Sequence, residues 1–218
     1  ELNRNNFDVN IVVSGAHLSD HHGNTVDRIV EDGFNIVDRL DTLFITSRLT
    51  QRATAVGLLL NGLSQTVERE NPDLLLVVGD REESIATAIV GNYMDKLVIH
   101  IGGGDSVYGN ADDPMRFAVS KLAHIHCCTA QEYADNLINL SEESFRVFWT
   151  GNPSYANIAN VVEMDLSEIS DKINIDLTNG RYIVVIKHPL SSEVADAYNQ
   201  MKLSLEVIEV FCQKHNFQ

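Results

Sequence analysis

NPDLLLVVGDR, Asn71 to Arg81, carries an unbroken apolar run, Leu74 to Val78, between Pro72 and Gly79. A run of that length bounded by turn residues reads as a strand buried on both faces of a parallel sheet. Glu82 and Glu83 then open an apolar-periodic helix from Ser84 to Tyr93. In an open α/β sheet, ligands gather outside the carboxyl ends of the strands. Asp80, Arg81 and Glu83 therefore stand where chemistry is expected. The competing structural role for Asp80 is to cap the helix that follows it.

Working outward, the pattern repeats. Asp8–Ser14 (DVNIVVS) reads as a short buried strand, followed by a loop and a helix from Gly23-Asn24-Thr25 to about Glu31, with Thr25 as its N-cap. Phe34–Leu40 alternates loosely, as an edge strand would. Thr50–Arg69 is helical by its apolar spacing and stops at Asn71-Pro72. Lys96–Ile101 (KLVIHI) is a further strand running into Gly102-Gly103-Gly104-Asp105, which reads as a turn rather than a phosphate loop. Asp112-Asp113-Pro114 starts a helix bearing Arg116 and Lys121, with Asp at its N-cap. His124–Cys128, Gln131–Leu140 and Arg146–Thr150 follow as strand, helix and strand. Ser154–Gly180 is a helix plus linker, Tyr182–Lys187 (YIVVIK) a buried strand, and Ser191 or Ser192 caps a final helix. Strands alternating with helices define an α/β class with a mainly parallel sheet.

The composition narrows the function classes. At 218 residues the chain has ample material for a core, and a net charge of −15 argues against nucleic acid or an anionic membrane as main partner. No run approaches the roughly 18 apolar residues of a membrane span, and no basic segment precedes an apolar one as in a signal peptide. Cys127 and Cys128 point to opposite faces of their strand, and neither has metal-ligand spacing with Cys212. A reduced, cytoplasmic protein is the expectation. His124 and His126 share a strand face, but no third metal ligand has suitable spacing, so core or supporting roles are expected. His21-His22 reads as a solvated loop pair.

Five stretches, in order, match one pattern: GAHLSDHHGNT (Gly15–Thr25), PDLLLVVGDREE (Pro72–Glu83), HIGGGDSVYGNADDPMRFAVSKLAHIHCCT (His100–Thr129), TGNPSYANI (Thr150–Ile158) and KHPLSS (Lys187–Ser192). Together they resemble the hydrolysing UDP-N-acetylglucosamine 2-epimerases of sialic- and legionaminic-acid type pathways, over nearly the whole chain. The resemblance implies a glycosyltransferase-B-type fold of two Rossmann-like halves, parallel sheets with helices on both faces, and a nucleotide sugar between them. Residues 1–165 would be most of the N-terminal half without its first strand. Residues 166–218 would be a linker and the opening strand and helix of the second half. The chain starts at Glu1 without methionine and stops just after a helix, and the expectation is a window on a longer protein.

By the same resemblance, UDP leaves by anti elimination across C1 and C2, and water adds back with opposite configuration at C2, with no cofactor and no metal. Asp80, Asp112, Asp113 and His188 fall on the family's catalytic positions. Arg81, Glu83, Asp105, Arg116, Lys121 and Ser191 are expected to contact substrate, the cations among them either neutralising charge or serving structure. A homo-oligomer, dimer or tetramer, is expected. One departure stands out: Gly102 occupies a position commonly Glu or His, and Asp105 one usually Glu, while the family's Arg-His pair is Arg116-Phe117. The alternatives are therefore a catalytically silent nucleotide-sugar-binding relative or partial subunit and, less favoured, a glycosyltransferase of the same architecture.

Overall fold

The computed structural model describes residue 2 and residues 7–45, 48–106, 113–158 and 161–217. These form two compact units, the first closing at Asn152 and the second running from Pro153.

The first unit is built from parallel strands. β1 (Asn10–Ser14) pairs with β2 (Asn35–Leu40), and β3 (Leu74–Val78), β4 (Leu97–Ile101), β5 (Ile125–Cys128) and β6 (Val147–Trp149) form a second sheet in that order. Each strand leads into the next through a helix: α1 (Val26–Glu31), α2 (Leu49–Glu70), α3 (Glu82–Tyr93), α4 (Asp113–Leu122) and α5 (Gln131–Asn139). α2 to α5 pack in one layer against the strands, as right-handed crossovers place them. α2 ends where expected, because Asn71 takes the left-handed conformation at φ 44° and its N–H caps the Val67 carbonyl ahead of Pro72.

The core lies between the strands and α2 to α5. Val77, Val98, Ile85, Ala88, Val119 and Ala123 are buried together. Leu59, Leu63, Val67, Ala86 and Val90 join α2 to α3, with Val12 of β1, Leu40 of β2 and Leu75 of β3 packed on them. Both sheets thus rest on one helical layer.

Four expectations need correction. Leu74–Val78 is not buried on both faces: Val77 is 5% exposed, whereas Leu76 is 43% and Val78 59% exposed. The strand is the terminal one of its sheet, and alternate side chains point away from the helix that covers it. Thr25 does not cap α1; it has helical dihedrals itself, and its hydroxyl lies 2.7 Å from His17 Nδ1.

Finally, Tyr182–Lys187 forms no strand, and Val184 and Ile186 are exposed. An extended segment becomes a strand only by pairing, and no strand accompanies it in the second unit among the described residues. That unit comprises α6 (Pro153–Ile158), α7 (Leu166–Ile173), a 3₁₀ turn over Ser191–Asp196 and α8 (Ala197–His215). The last helix begins later than expected because Glu193 is non-helical at φ −120°, ψ 19°, and the residue capping the turn is Leu190. Among the described residues no helix is long and apolar enough to cross a membrane.

Candidate active site

β1 and β3 send the chain in opposite directions, β1 toward β2 and β3 toward β4. The place where strand order turns is where an α/β sheet opens a ligand crevice at its carboxyl edge. Side chains meet there: Ser14, the last residue of β1, donates to Glu83 Oε1 at 3.4 Å. A Cβ on Gly15, at φ +60°, would lie 2.6 Å from the same carboxylate oxygen. Glu83 therefore ties the β1 loop to the start of α3.

The turn after β3 is fixed on several sides. Gly79, at φ +74°, donates its N–H to the Ile101 carbonyl at 2.9 Å. Ser84 Oγ donates to the Val78 carbonyl at 2.8 Å from the first turn of α3. The N-cap of α3 is Arg81, so Asp80 is not the capping residue. Its carboxylate instead accepts from the Arg116 guanidinium in a short charge-assisted contact, with side-chain exposures of 18% and 13% respectively. Arg116 also donates to the Gly102 carbonyl at 2.9 Å and stands 3.9 Å from Asp105. Its Nε is buried with no hydrogen-bond partner among the described residues.

Asp105 in turn faces Tyr133 of α5, whose phenol is pushed above its usual range chiefly by the Asp105 charge, with burial and a hydrogen bond to Asp105 adding to the shift. One patch at the carboxyl ends of β3 and β4 thus holds two carboxylates, a guanidinium and a phenol. Such a group can exchange protons and bind an anionic leaving group.

Two of the three glycines are demanded by packing. A Cβ on Gly104, at φ +81°, would overlap the Tyr133 carbonyl, and one on Gly103 would lie 2.8 Å from Ser120 Oγ. Asn136 of α5 donates to the Gly104 carbonyl at 3.0 Å, so the loop is clamped on that helix. Gly102, at φ +80°, has open space where a side chain would stand, the nearest atom being the Gly79 nitrogen at 3.9 Å.

The structure brings Asp80, Arg116 and Asp105 together, with Glu83 on the adjoining turn and Arg81 exposed at the start of α3. Asp113 opens α4. Asp112 lies outside the described residues. Lys121 is not with this group: its Nζ lies 2.5 Å from Glu142 Oε1 and donates to the Leu140 carbonyl. Glu142, with a side chain 2% exposed, also pairs with Arg146, so Lys121 and Arg146 neutralise a buried carboxylate. His188 is exposed and Ser191 opens the 3₁₀ turn, both in the second unit.

Sequence reasoning missed Tyr133, Asn136 and above all His100, which is fully buried with Nε2 2.8 Å from the Gly79 carbonyl. The available signal was period 2 in KLVIHI, which puts His100 on the same face as Val98. His126 is also wholly buried, and burial lowers its pKa against the opposing pull of Glu142. His124 Nδ1 accepts from the Val98 N–H at 3.1 Å. These are supporting roles, and among the described residues no three His, Cys, Asp or Glu are grouped to hold a metal.

A family model described as UDP-N-acetylglucosamine 2-epimerase matches residues 1–217. The UDP-N,N'-diacetylbacillosamine 2-epimerase (hydrolyzing) of Legionella pneumophila is 28% identical over 215 residues, covering 96% of this chain and 56% of that protein. The polysialic acid biosynthesis protein P7 of Escherichia coli is 27% identical over 213 residues, covering 96% and 53%. The chain spans about half the length of the curated relatives it matches. Among solved structures, UDP-GlcNAc 2-epimerase from Neisseria meningitidis bound to UDP-GlcNAc superposes with a TM-score of 0.74 at 17% identity, over 95% of this chain and 63% of that one. A UDP-N-acetylglucosamine 2-epimerase homologue from Listeria monocytogenes gives 0.68 at 20% identity, over 86% and 48%. The fold is the one these enzymes share, a Rossmann-like parallel sheet of the glycosyltransferase-B type.

Proposed function

The chain belongs to the UDP-N-acetylglucosamine 2-epimerase family, and from that premise we propose that it supplies the Asp80–Arg116 part of the active site of a hydrolysing 2-epimerase. The substrate is UDP-N-acetylglucosamine or a related UDP-2-acetamido sugar, and the products are UDP and the 2-epimeric sugar. In the first step a base takes the C2 proton, the C1=C2 double bond forms, and the C1–O bond breaks with its electrons leaving on UDP. In the second, water adds its hydroxyl to C1 while C2 is protonated on the opposite face. Both steps need a positioned acid or base, and the first needs positive charge for the diphosphate.

The observation that carries this reading is the Asp80 carboxylate, turned away from helix capping and held by Arg116 at the strand end. Asp80 is the acid/base or its orienting partner, and Arg116 sets its position. Asp105 and Tyr133 stand beside them as further hydrogen-bonding groups. Asp113, which opens α4, is proposed as a further catalytic residue, as are Asp112 and His188. Arg81, Glu83 and Ser191 are proposed substrate contacts; Lys121 is assigned to structure by its ion pair with Glu142. The protein is proposed to work in the cytoplasm as a homo-oligomer.

The test is the full-length protein with UDP-N-acetylglucosamine and its diacetylbacillosamine analogue in deuterium oxide. UDP release with deuterium at C2 of the product is expected. UDP release without deuterium at C2 would refute the elimination–addition route.

A second reading, a catalytically silent relative that binds nucleotide sugar, is favoured by Gly102, which offers no side chain over the open space beside Gly79. The Gly102→Glu variant separates the two. A large gain of activity supports the silent relative, and robust parental activity unchanged by the substitution excludes it.

A further inference from the structure

We infer that His100 is the positioning residue of this site: a neutral imidazole, protonated on Nε2, that fixes from inside the sheet both the turn carrying Asp80 and the helix carrying Arg116. The inference rests on the proposed role of that pair. His100 lies in β4, is 0% exposed, and reaches no position a substrate could touch.

Its bonds settle its protonation. Nε2 is 2.8 Å from the Gly79 carbonyl oxygen, which can only accept, so Nε2 carries the hydrogen. Nδ1 is 3.1 Å from Ser120 Oγ. With the ring neutral, Nδ1 is an acceptor, and the single Ser120 hydroxyl hydrogen is shared between Nδ1 and the Arg116 carbonyl, each 3.1 Å from Oγ. Burial holds the ring pKa down to about 4, with the charge of neighbouring Arg116 and adjacency of His126 acting in the same direction. The ring therefore stays neutral at physiological pH.

What distinguishes this residue from a merely satisfied core histidine is where its two partners lie. Gly79 immediately precedes Asp80, and its N–H is already held by the Ile101 carbonyl. The histidine holds the other end of that residue, so the turn is fixed at both its donor and its acceptor. Ser120 is one helical turn beyond Arg116 on α4, with Oγ 3.1 Å from the Arg116 carbonyl. One imidazole thus sets the separation of the two elements that meet in the Asp80–Arg116 contact. Gly103 closes over the bond, since a Cβ there would lie 2.8 Å from Ser120 Oγ and 3.0 Å from His100 Nδ1.

Two substitutions divide the ring. The amide nitrogen of Gln reaches the place of imidazole Nε2, so His100→Gln keeps the Gly79 bond and gives up Ser120. The amide of Asn lies near Nδ1, so His100→Asn keeps Ser120 and gives up Gly79. In the full-length protein, His100→Asn is expected to lower kcat by roughly 10- to 100-fold, the equivalent of one lost buried hydrogen bond, with KM little changed. His100→Gln is expected to stay within about 3-fold of the parent in kcat. Hydrogen exchange at Asp80 and Arg81 should accelerate in His100→Asn and not in His100→Gln.

Equal loss in the two variants, or a loss confined to KM, would overturn the inference. So would long-range ¹H–¹⁵N spectra of the parent that place the His100 proton on Nδ1, a measurement that decides the matter even where a variant fails to fold. A parent that releases no UDP sinks the epimerase reading, whereas the exchange and tautomer measurements still judge the clamp.

Discussion

Acidification from pH 7.5 to 4.5 should destabilise this chain through His100 by an amount that can be worked out. The folded ring has a pKa of about 4 against an ordinary value of 6.5, lowered mainly by burial. A group whose folded pKa is depressed binds more protons in the unfolded chain, so stability falls as pH drops below 6.5 and levels off below about 4. At pH 4.5 the unfolded ring is almost fully protonated and the folded one mostly neutral, which gives a loss of roughly 2 to 3 kcal/mol relative to pH 7.5. The ring is fully buried, so solvent screening does not reduce this figure. His126 shifts in the same direction and the carboxylates contribute as well, so the parent curve alone does not isolate the effect. The assay is urea unfolding of parent and His100→Gln at both pH values, compared as a difference of differences. The parent should lose roughly 2 to 3 kcal/mol more than the variant between the two conditions. Parallel curves, with an excess loss under about 1 kcal/mol, would refute the claim that burial keeps this ring neutral.

Four further outcomes follow from the geometry. Gly104→Ala should cost about 3 kcal/mol or more in urea unfolding because its Cβ meets the Tyr133 backbone, whereas Gly102→Ala, with only its φ of +80° to strain it, should cost about 1 kcal/mol. Glu142→Gln should lower stability by roughly 3 kcal/mol by leaving Arg146 and Lys121 without their buried partner, while Lys121→Ala, at a 53% exposed side chain, should cost under about 1 kcal/mol and leave KM for the UDP-sugar unchanged. Arg116→Gln in the full-length protein should reduce kcat by about 100-fold or more; a change in KM alone would mean the arginine only binds substrate. In Asp105→Asn the Tyr133 phenol should titrate at a lower pH than in the parent, read by ultraviolet difference titration against the Tyr133→Phe variants of each protein, because the carboxylate charge is the main cause of its rise.

Much of the fold was legible because strand and helix periods are local. The Leu74–Val78 run, the Asn71-Pro72 stop and the alternation of elements each follow from a few neighbouring residues. Burial is a different matter, since Val77 and Val78 are equally apolar and only the placement of α3 and α4 decides which is covered. YIVVIK failed for a related reason, because pairing is supplied by other segments and its apolar content does not create a partner.

At the site, Lys121 could have been excluded from α4 alone. Five residues past Arg116 turn the helix by about 140° and advance it about 7.5 Å, away from the arginine's face, whereas Ser120, four residues on, returns to it. His100 was harder to see. Its side chain is two residues from Gly102 in the chain, yet its effect is exerted on Gly79, a neighbour only through the parallel register that pairs Val77 with His100. Catalytic residue types at strand ends can be read from sequence, but what aims them is the peptide beside each one. The groups holding those peptides come from adjacent strands and helices, as Ile101, His100 and Ser84 do around Gly79. A substitution at such a supporting residue should therefore damage the chemistry while leaving every recognisable motif residue in place, which is the pattern the paired Asn and Gln variants of His100 are designed to expose.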